Sequence, residues 1–235
     1  MSSIFRDMGL QQDDESVAII RETLSLLPPN HPVRSYLAIA RDLGSDAGLV
    51  DTFLHPRARS YTVEECIDLV TSAGLVFQSW FLNAPYYLHD AAESTGHRSA
   101  LCSLSDVKHW SAMERIHSTN ACHFFVACRP ERSKTSYAIN FSDEDSLEYV
   151  PHFRKGCALS GVELIRPDWR MSLSPVQLEF VRLVDGRRTI REISQAVPQA
   201  VAAGGTSELD FGRDLFRALW RLDFLAMALS RLRTR

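Results

Sequence analysis

Apolar positions in the first third of the chain recur at the spacing of helices. Val17, Ile20, Leu24 and Leu27 form one amphipathic stripe, because residues three or four apart share a helix face. Asp13 and Asp14 stand before it as caps, and Pro28 and Pro29 close it. A second helix starts near His31 with Pro32 in its first turn; Tyr36, Ile39, Ala40 and Leu43 share its buried face, and Gly44 and Gly48 break it. Thr62 and Glu65 have the spacing of a capping box for a helix that runs to about Ser72 and stops at Gly74. Residues 75–82 then form a short aromatic run without a breaker, which predicts a strand.

Residues 91–103 are small and polar and predict a loop. A helix from Ser105 or Asp106 to His117 carries Val107, Trp110, Met113 and Ile116 on one side. Residues 121–128 give the strongest strand pattern in the chain, with weaker strands around 135–141 and 147–150. The tail changes character. Ser174 and Pro175 begin a helix bearing Leu178 and Val181, Asp185-Gly186 marks a turn, and Thr189 with Glu192 caps a second short helix. Residues 198–207 predict a loop. Leu215, Leu219, Leu222 and Leu225 predict one long helix over 208–229. Helix, turn, helix, loop, helix is the skeleton of a small winged-helix-like module.

Charge sharpens the division. The chain of 235 residues has a formal net charge of −3, too weak for a whole-protein nucleic-acid footprint. Residues 170–235 hold 11 basic and 7 acidic side chains, a net of +4, which leaves −7 for residues 1–169. That asymmetry points to two modules. No run of about 18 apolar residues occurs, so no membrane span is predicted. The start lacks the basic and apolar regions of a signal peptide. Five cysteines at scattered spacing (Cys66, Cys102, Cys122, Cys128 and Cys157) read as reduced thiols, and with the absent leader they point to the cytoplasm.

One stretch is specific enough to compare. Asp51-Thr-Phe-Leu-His-Pro-Arg57 leads through Tyr61-Thr-Val into a helix and then Ala73-Gly-Leu75. It resembles bacterial class I S-adenosylmethionine-dependent methyltransferases, in which such a loop precedes a helix and a late strand of the sheet. Family members often carry Asp where this chain has Ala58. Trp110-Ser-Ala-Met-Glu114 and His123-Phe-Phe-Val-Ala-Cys-Arg-Pro130 are similar to the helix and final antiparallel strand of the same fold. Residues 177–193, with Asp185-Gly-Arg-Arg-Thr-Ile-Arg-Glu-Ile193, resemble a signature of winged-helix tails on such enzymes and of small peptide-binding modules.

The resemblance implies an α/β protein, α+β in this stretch: residues 1–130 as the C-terminal portion of a Rossmann-like methyltransferase domain, 131–168 as a β-rich linker, and 169–235 as the winged-helix-like module. It implies S-adenosylmethionine as the family's cofactor and a small-molecule or peptide as acceptor. The family grips that cofactor with a glycine-rich turn after its first strand and a carboxylate ending the second. None of the 11 glycines has that spacing. The expectation is a truncated form that binds no cofactor and is inactive alone. The strand at 121–128 would have one bare edge, so self-association, or docking on a chain that supplies the missing sheet half, is expected.

Asp51, His55, Arg57 and Tyr61 form the first candidate site, an acceptor loop in which His55 or Tyr61 orients or deprotonates a nucleophile. The plainer alternative is a hydrogen-bonded loop that orders a helix start. Trp80, Tyr86 and Tyr87 form the second, an aromatic wall for a flat acceptor, against the alternative of core edge. A metal site is not expected: Cys122 and Cys128 would lie about 20 Å apart on one strand, and His109 and His117 about 12 Å apart on one helix. The rival functions are a non-catalytic peptide- or protein-binding module in the tail, and a DNA-binding regulator through Arg187, Arg188 and Arg191. Interleaved acids disfavour contact with nucleic acid.

Overall fold

The computed structural model describes residues 1–57, 59–88, 99–101, 103–117, 120, 122–197 and 207–229. Ala58, Cys102, most of the loop at 91–103 and the loop at 198–206 lie outside them. The chain divides into two compact units, residues 1–62 with 118–122, and residues 63–117 with 123–235.

The first unit is helical. It comprises α1 (Ser2–Asp7), α2 (Asp14–Leu26), α3 (Pro32–Ile39), a 3-10 turn (Arg41–Gly44), α4 (Asp46–Leu49) and a π-helical turn (Val50–Leu54). The Asp13 carboxylate caps α2 by accepting the Ser16 N–H at 2.8 Å, which also holds its pKa below the ordinary value. Val17, Ile20 and Leu24 face a core completed by Phe5, Leu43, Leu49 and Phe53. The rings of Phe5 and Phe53 meet edge to face at 5.6 Å, so the π-helical turn is pinned to α1. Gly48 is required where α4 crosses the 3-10 turn: a Cβ there would lie 2.1 Å from the Asp42 carbonyl oxygen.

The second unit opens with α5 (Val63–Ser72) and β1 (Val76–Trp80), joined by Gly74 at φ +70°. Only a residue at ease in the left-handed region ends a helix this tightly. Next come α6 (Asp106–Ile116) and β2 (Phe125–Cys128). β2 pairs antiparallel with β1, from Val76 opposite Cys128 to Trp80 opposite Phe125, with an irregularity between Phe77 and Ser79. The strands are shorter than the apolar runs at 75–82 and 121–128. Among the described residues each has one partner strand.

The rest of this unit is β3 (Val150–Phe153), a meander of β4 (Ala158–Ser160), β5 (Glu163–Arg166) and β6 (Trp169–Ser172), then α7 (Pro175–Arg182), α8 (Ile190–Gln195), α9 (Glu208–Arg221) and β7 (Leu225–Ala228). Capping boxes start α7 (Ser174 with Gln177) and α8 (Thr189 with Glu192). Phe180, Ile190, Ile193, Phe216, Leu219 and Phe224 lie at the centre of its core. The architecture is therefore α+β, helices with small antiparallel sheets.

Two expectations require correction. The helix expected over 208–229 ends at Arg221; Asp223 turns the chain at φ +61°, and residues 225–228 pair with β3 instead. The leucine spacing continues the helical stripe, but β3, some 70 residues upstream, offers a ladder that sequence spacing does not reveal. The strand expected around 135–141 is absent: residues 134–136 form a 3-10 turn, residues 144–148 another, and the next strand after β2 begins at Val150.

Candidate functional site

The loop that carries the first set of candidates is tied down from α1 and the segment after it. Ser2 Oγ donates to the Thr52 carbonyl (3.3 Å) and Gln12 Nε2 to the Leu54 carbonyl (3.4 Å). His55 Nδ1 accepts the Arg57 N–H at 3.2 Å. Between α1 and this loop lies a cleft of about 420 Å³ whose lining includes Arg6, Gln11, Gln12 and His55. His55 is thus the one of the four loop candidates that lines it. Asp51 and Arg57 are exposed, and Tyr61 is half-buried with the Arg59 guanidinium 4.8 Å from its ring centroid. Arg6, Gln11 and Gln12 are invisible to a local reading, since they stand more than 40 residues from His55.

Trp80, Tyr86 and Tyr87 are packed inside the second unit, 3%, 1% and 9% exposed. Trp80 ends β1; Tyr86 closes a 3-10 turn (Ala84–Tyr86) with Pro85 in its first positions, where a missing N–H costs nothing. The two rings stack at 4.0 Å, 17° from parallel. Beyond them runs a polar chain. The Tyr86 hydroxyl lies 2.7 Å from His123 Nδ1, and His123 Nε2 lies 3.0 Å from Glu114 Oε1. The other Glu114 oxygen accepts the Val63 N–H at 3.1 Å, so the same carboxylate caps α5. Trp110 Nε1 donates to the Tyr87 hydroxyl at 3.2 Å, and the Arg221 guanidinium sits 4.5 Å from the Tyr87 ring centroid. Burial pushes the Tyr87 phenol above its ordinary pKa, against the pull of Trp110 and Arg221. The Trp80 indole N–H is buried with no hydrogen-bond partner among the described residues.

The turn beside this cluster is locked to the tail. Asp223 Oδ2 accepts the Ala84 N–H at 2.7 Å, and Oδ1 accepts Arg154 Nη1 at 2.6 Å. Arg154 also donates to the Phe81 carbonyl at 2.9 Å, while Asn83 Nδ2 reaches the Trp220 carbonyl at 3.4 Å. Burial pushes the Asp223 carboxyl above the usual carboxylate range, against the opposing N–H donors and arginines. Left-handed backbone is unusual for a residue with a side chain, and Asp is among the few that adopt it.

The remaining candidates are engaged elsewhere. His109 Nδ1 donates to the Leu101 carbonyl and His117 Nδ1 to the Pro85 carbonyl. Among the described residues no three His, Cys, Asp or Glu side chains gather as a metal site. In the tail, Arg191 pairs with Glu148 (2.7 Å) and Glu144 (3.7 Å), and Arg188 with Asp185 (3.6 Å). No helix among the described residues is long and apolar enough to cross a membrane.

A cradle for S-adenosylmethionine needs a glycine turn between a strand and a helix. β1 is followed by Phe81, Leu82, Asn83 and Ala84, with no glycine. Among the described residues the positive-φ glycines are Gly9, Gly74, Gly156, Gly161 and Gly186, and none of these follows a strand and opens a helix. The described residues do not fit that group.

No protein-family model matches the chain. Among solved structures it is similar to PKMT2 from Rickettsia typhi, with 12% sequence identity and a TM-score of 0.55 over 98% of this chain and 50% of that one. A second structure of PKMT2, in complex with AdoHcy, matches at 11% identity and a TM-score of 0.50 over 93% of this chain and 46% of the other. At these identities the likeness is one of fold. The chain spans about half the length of the PKMT2 chains it matches.

Proposed function

We propose that this chain is one half of an S-adenosylmethionine-dependent methyltransferase, the half that carries acceptor-side elements and holds no cofactor itself. The observation that carries the reading is the match of 98% of the chain to half of PKMT2, a protein solved with AdoHcy. The missing glycine turn supports the second part of it. So does the short β1–β2 ribbon, a remnant of a Rossmann-like sheet: a two-stranded sheet is marginal by itself, and Phe124 and Val126 are exposed at β2 and just before it. A separate segment or chain supplies the rest of the sheet and the cofactor site. On this reading the Asp51–Tyr61 loop and the Trp80, Tyr86 and Tyr87 cluster serve a small-molecule or peptide acceptor, the first by contact and the second by holding the turn at 83–86 in place.

DNA binding through the tail is the weaker reading, because Arg188 and Arg191 already face acids and phosphate contact would have to displace them. Sedimentation velocity on the purified chain tests the proposal. The expected result is concentration-dependent self-association that Val126→Lys weakens, since a charge on an open edge blocks strand addition. A monomer at all concentrations with one cooperative unfolding transition would overturn the open-sheet reading.

A further inference from the structure

The cleft between α1 and the 50–56 turn is lined by both polar and apolar side chains. Its volume of about 420 Å³ falls within the range of small-molecule sites, roughly 300–1,000 Å³. Among the described residues that line it there is one guanidinium, Arg6, one imidazole, His55, and no carboxylate. The Arg6 guanidinium has neither a hydrogen bond nor an ion pair among the described residues. A planar guanidinium left unpaired in a concavity matches the two oxygens of a carboxylate.

The neighbouring groups add direction. Because His55 Nδ1 accepts the Arg57 N–H at 3.2 Å, the proton of the neutral ring sits on Nε2, a second donor. Gln11 gives its amide hydrogens to the Gly9 carbonyl (3.0 Å) and Gln12 to the Leu54 carbonyl (3.4 Å). Their side-chain oxygens remain as acceptors. Leu10, Phe53 and Leu54 supply apolar surface. The lining therefore offers two donors for an anion, two acceptors for an N–H or O–H, and a place for an alkyl group.

We propose that this cleft binds a small apolar carboxylic acid with a neighbouring N–H or O–H, its carboxylate held by Arg6 and His55. The inference rests on the acceptor-loop reading only for the ligand's role. Binding needs no methyl transfer, so its failure leaves the sheet and cofactor tests intact.

The probe is N-acetyl-L-leucine, with N-acetyl-L-leucinamide as its neutral counterpart and inorganic phosphate as a bare anion, followed by NMR titration of the full chain. N-acetyl-L-leucine is expected to shift the backbone amides of Phe53, Leu54 and His55 in a saturable way, and the amide to bind at least tenfold more weakly. Arg6→Gln should cost about tenfold or more in affinity, the scale of a lost charge-assisted hydrogen bond, and Arg6→Lys less. Arg6 is exposed, so neither change should disturb the fold, which the spectrum itself reports. Equal binding of acid and amide, equal binding of phosphate, an unchanged affinity in Arg6→Gln, or no saturable shift at 20-fold the usual weak-ligand range of about 1 mM would each overturn the proposal.

Discussion

Asp223 accepts the backbone N–H of Ala84 at 2.7 Å across 139 residues of sequence. With Arg154 on its other oxygen, this carboxylate joins the turn after β1 to the end of α9. Removing one partner of a buried pair leaves the other charge uncompensated, and such losses run to about 3–5 kcal/mol. Asp223→Ala is therefore expected to lower unfolding stability by about 3 kcal/mol in urea titration, on that scale. Asp223→Asn keeps an acceptor for Ala84 and should lose less. Asp223→Gly relieves the backbone at φ +61° but drops both contacts, and it should fall near the alanine variant.

The same residue predicts a pH dependence. Burial raises its folded pKa above the unfolded value, which is about 3.9. Between those two values the folded chain binds more protons than the unfolded chain, so this group's contribution to stability falls as pH rises through the window and is flat above it. Asp13 and Asp185 are shifted the other way and lose their contributions as pH falls. The difference between wild type and Asp223→Asn isolates the buried group. The expected outcome is a wild-type advantage that shrinks with rising pH across the acid range; a difference independent of pH would show that Asp223 keeps its ordinary pKa.

Gly212 is where α9 meets α8 and α7. A Cβ there would stand 2.1 Å from Ser194 Oγ and 3.2 Å from the Phe180 ring. Alanine normally stabilises a helix interior relative to glycine by about 1 kcal/mol, but overpacking a tight core costs about 1–3 kcal/mol. Gly212→Ala should lower the thermal midpoint, and Ser194→Ala combined with it should recover part of the loss by removing the closest atom. A stabilised single variant would show that the interface has room.

Tyr86, His123 and Glu114 make a hydrogen-bonded chain with an assignable tautomer. An ionised carboxylate only accepts, so the neutral imidazole carries its proton on Nε2 and Nδ1 accepts from the Tyr86 hydroxyl. Nitrogen chemical shifts of the His123 ring should show the Nε2–H form. Tyr86→Phe leaves Nδ1 without that donor and should cost about 1–2 kcal/mol, with the Trp80 stack retained. An Nδ1–H ring in wild type would reverse the direction of both bonds.

Much of the fold was legible because its signals are local. Asp13 before α2, Pro32 at the start of α3, Gly74 after α5 and Thr189 with Glu192 at α8 each act within one turn. What escaped depends on distant partners. β7 continues a leucine stripe that spacing alone assigns to a helix, and only its pairing with β3 makes it a strand. The meander β4–β5–β6 is built from strands of three or four residues, too short to show a period. Of the candidate sites, His55 stood out in its motif, whereas Arg6 became a neighbour only through the packing of Phe5 on Phe53. Trp80 and Tyr86 were readable as aromatics at a strand end; their link to Glu114 through His123 was not, because the chain makes no short-range pattern of them.

Calorimetric titration of the purified chain with AdoHcy tests most directly the proposal that this chain is a methyltransferase half without a cofactor cradle. The expected result is no saturable heat up to about 1 mM ligand, which means binding weaker than about −4.1 kcal/mol. A dissociation constant in the micromolar range would contradict it, and would mean that residues other than a glycine turn hold the cofactor here.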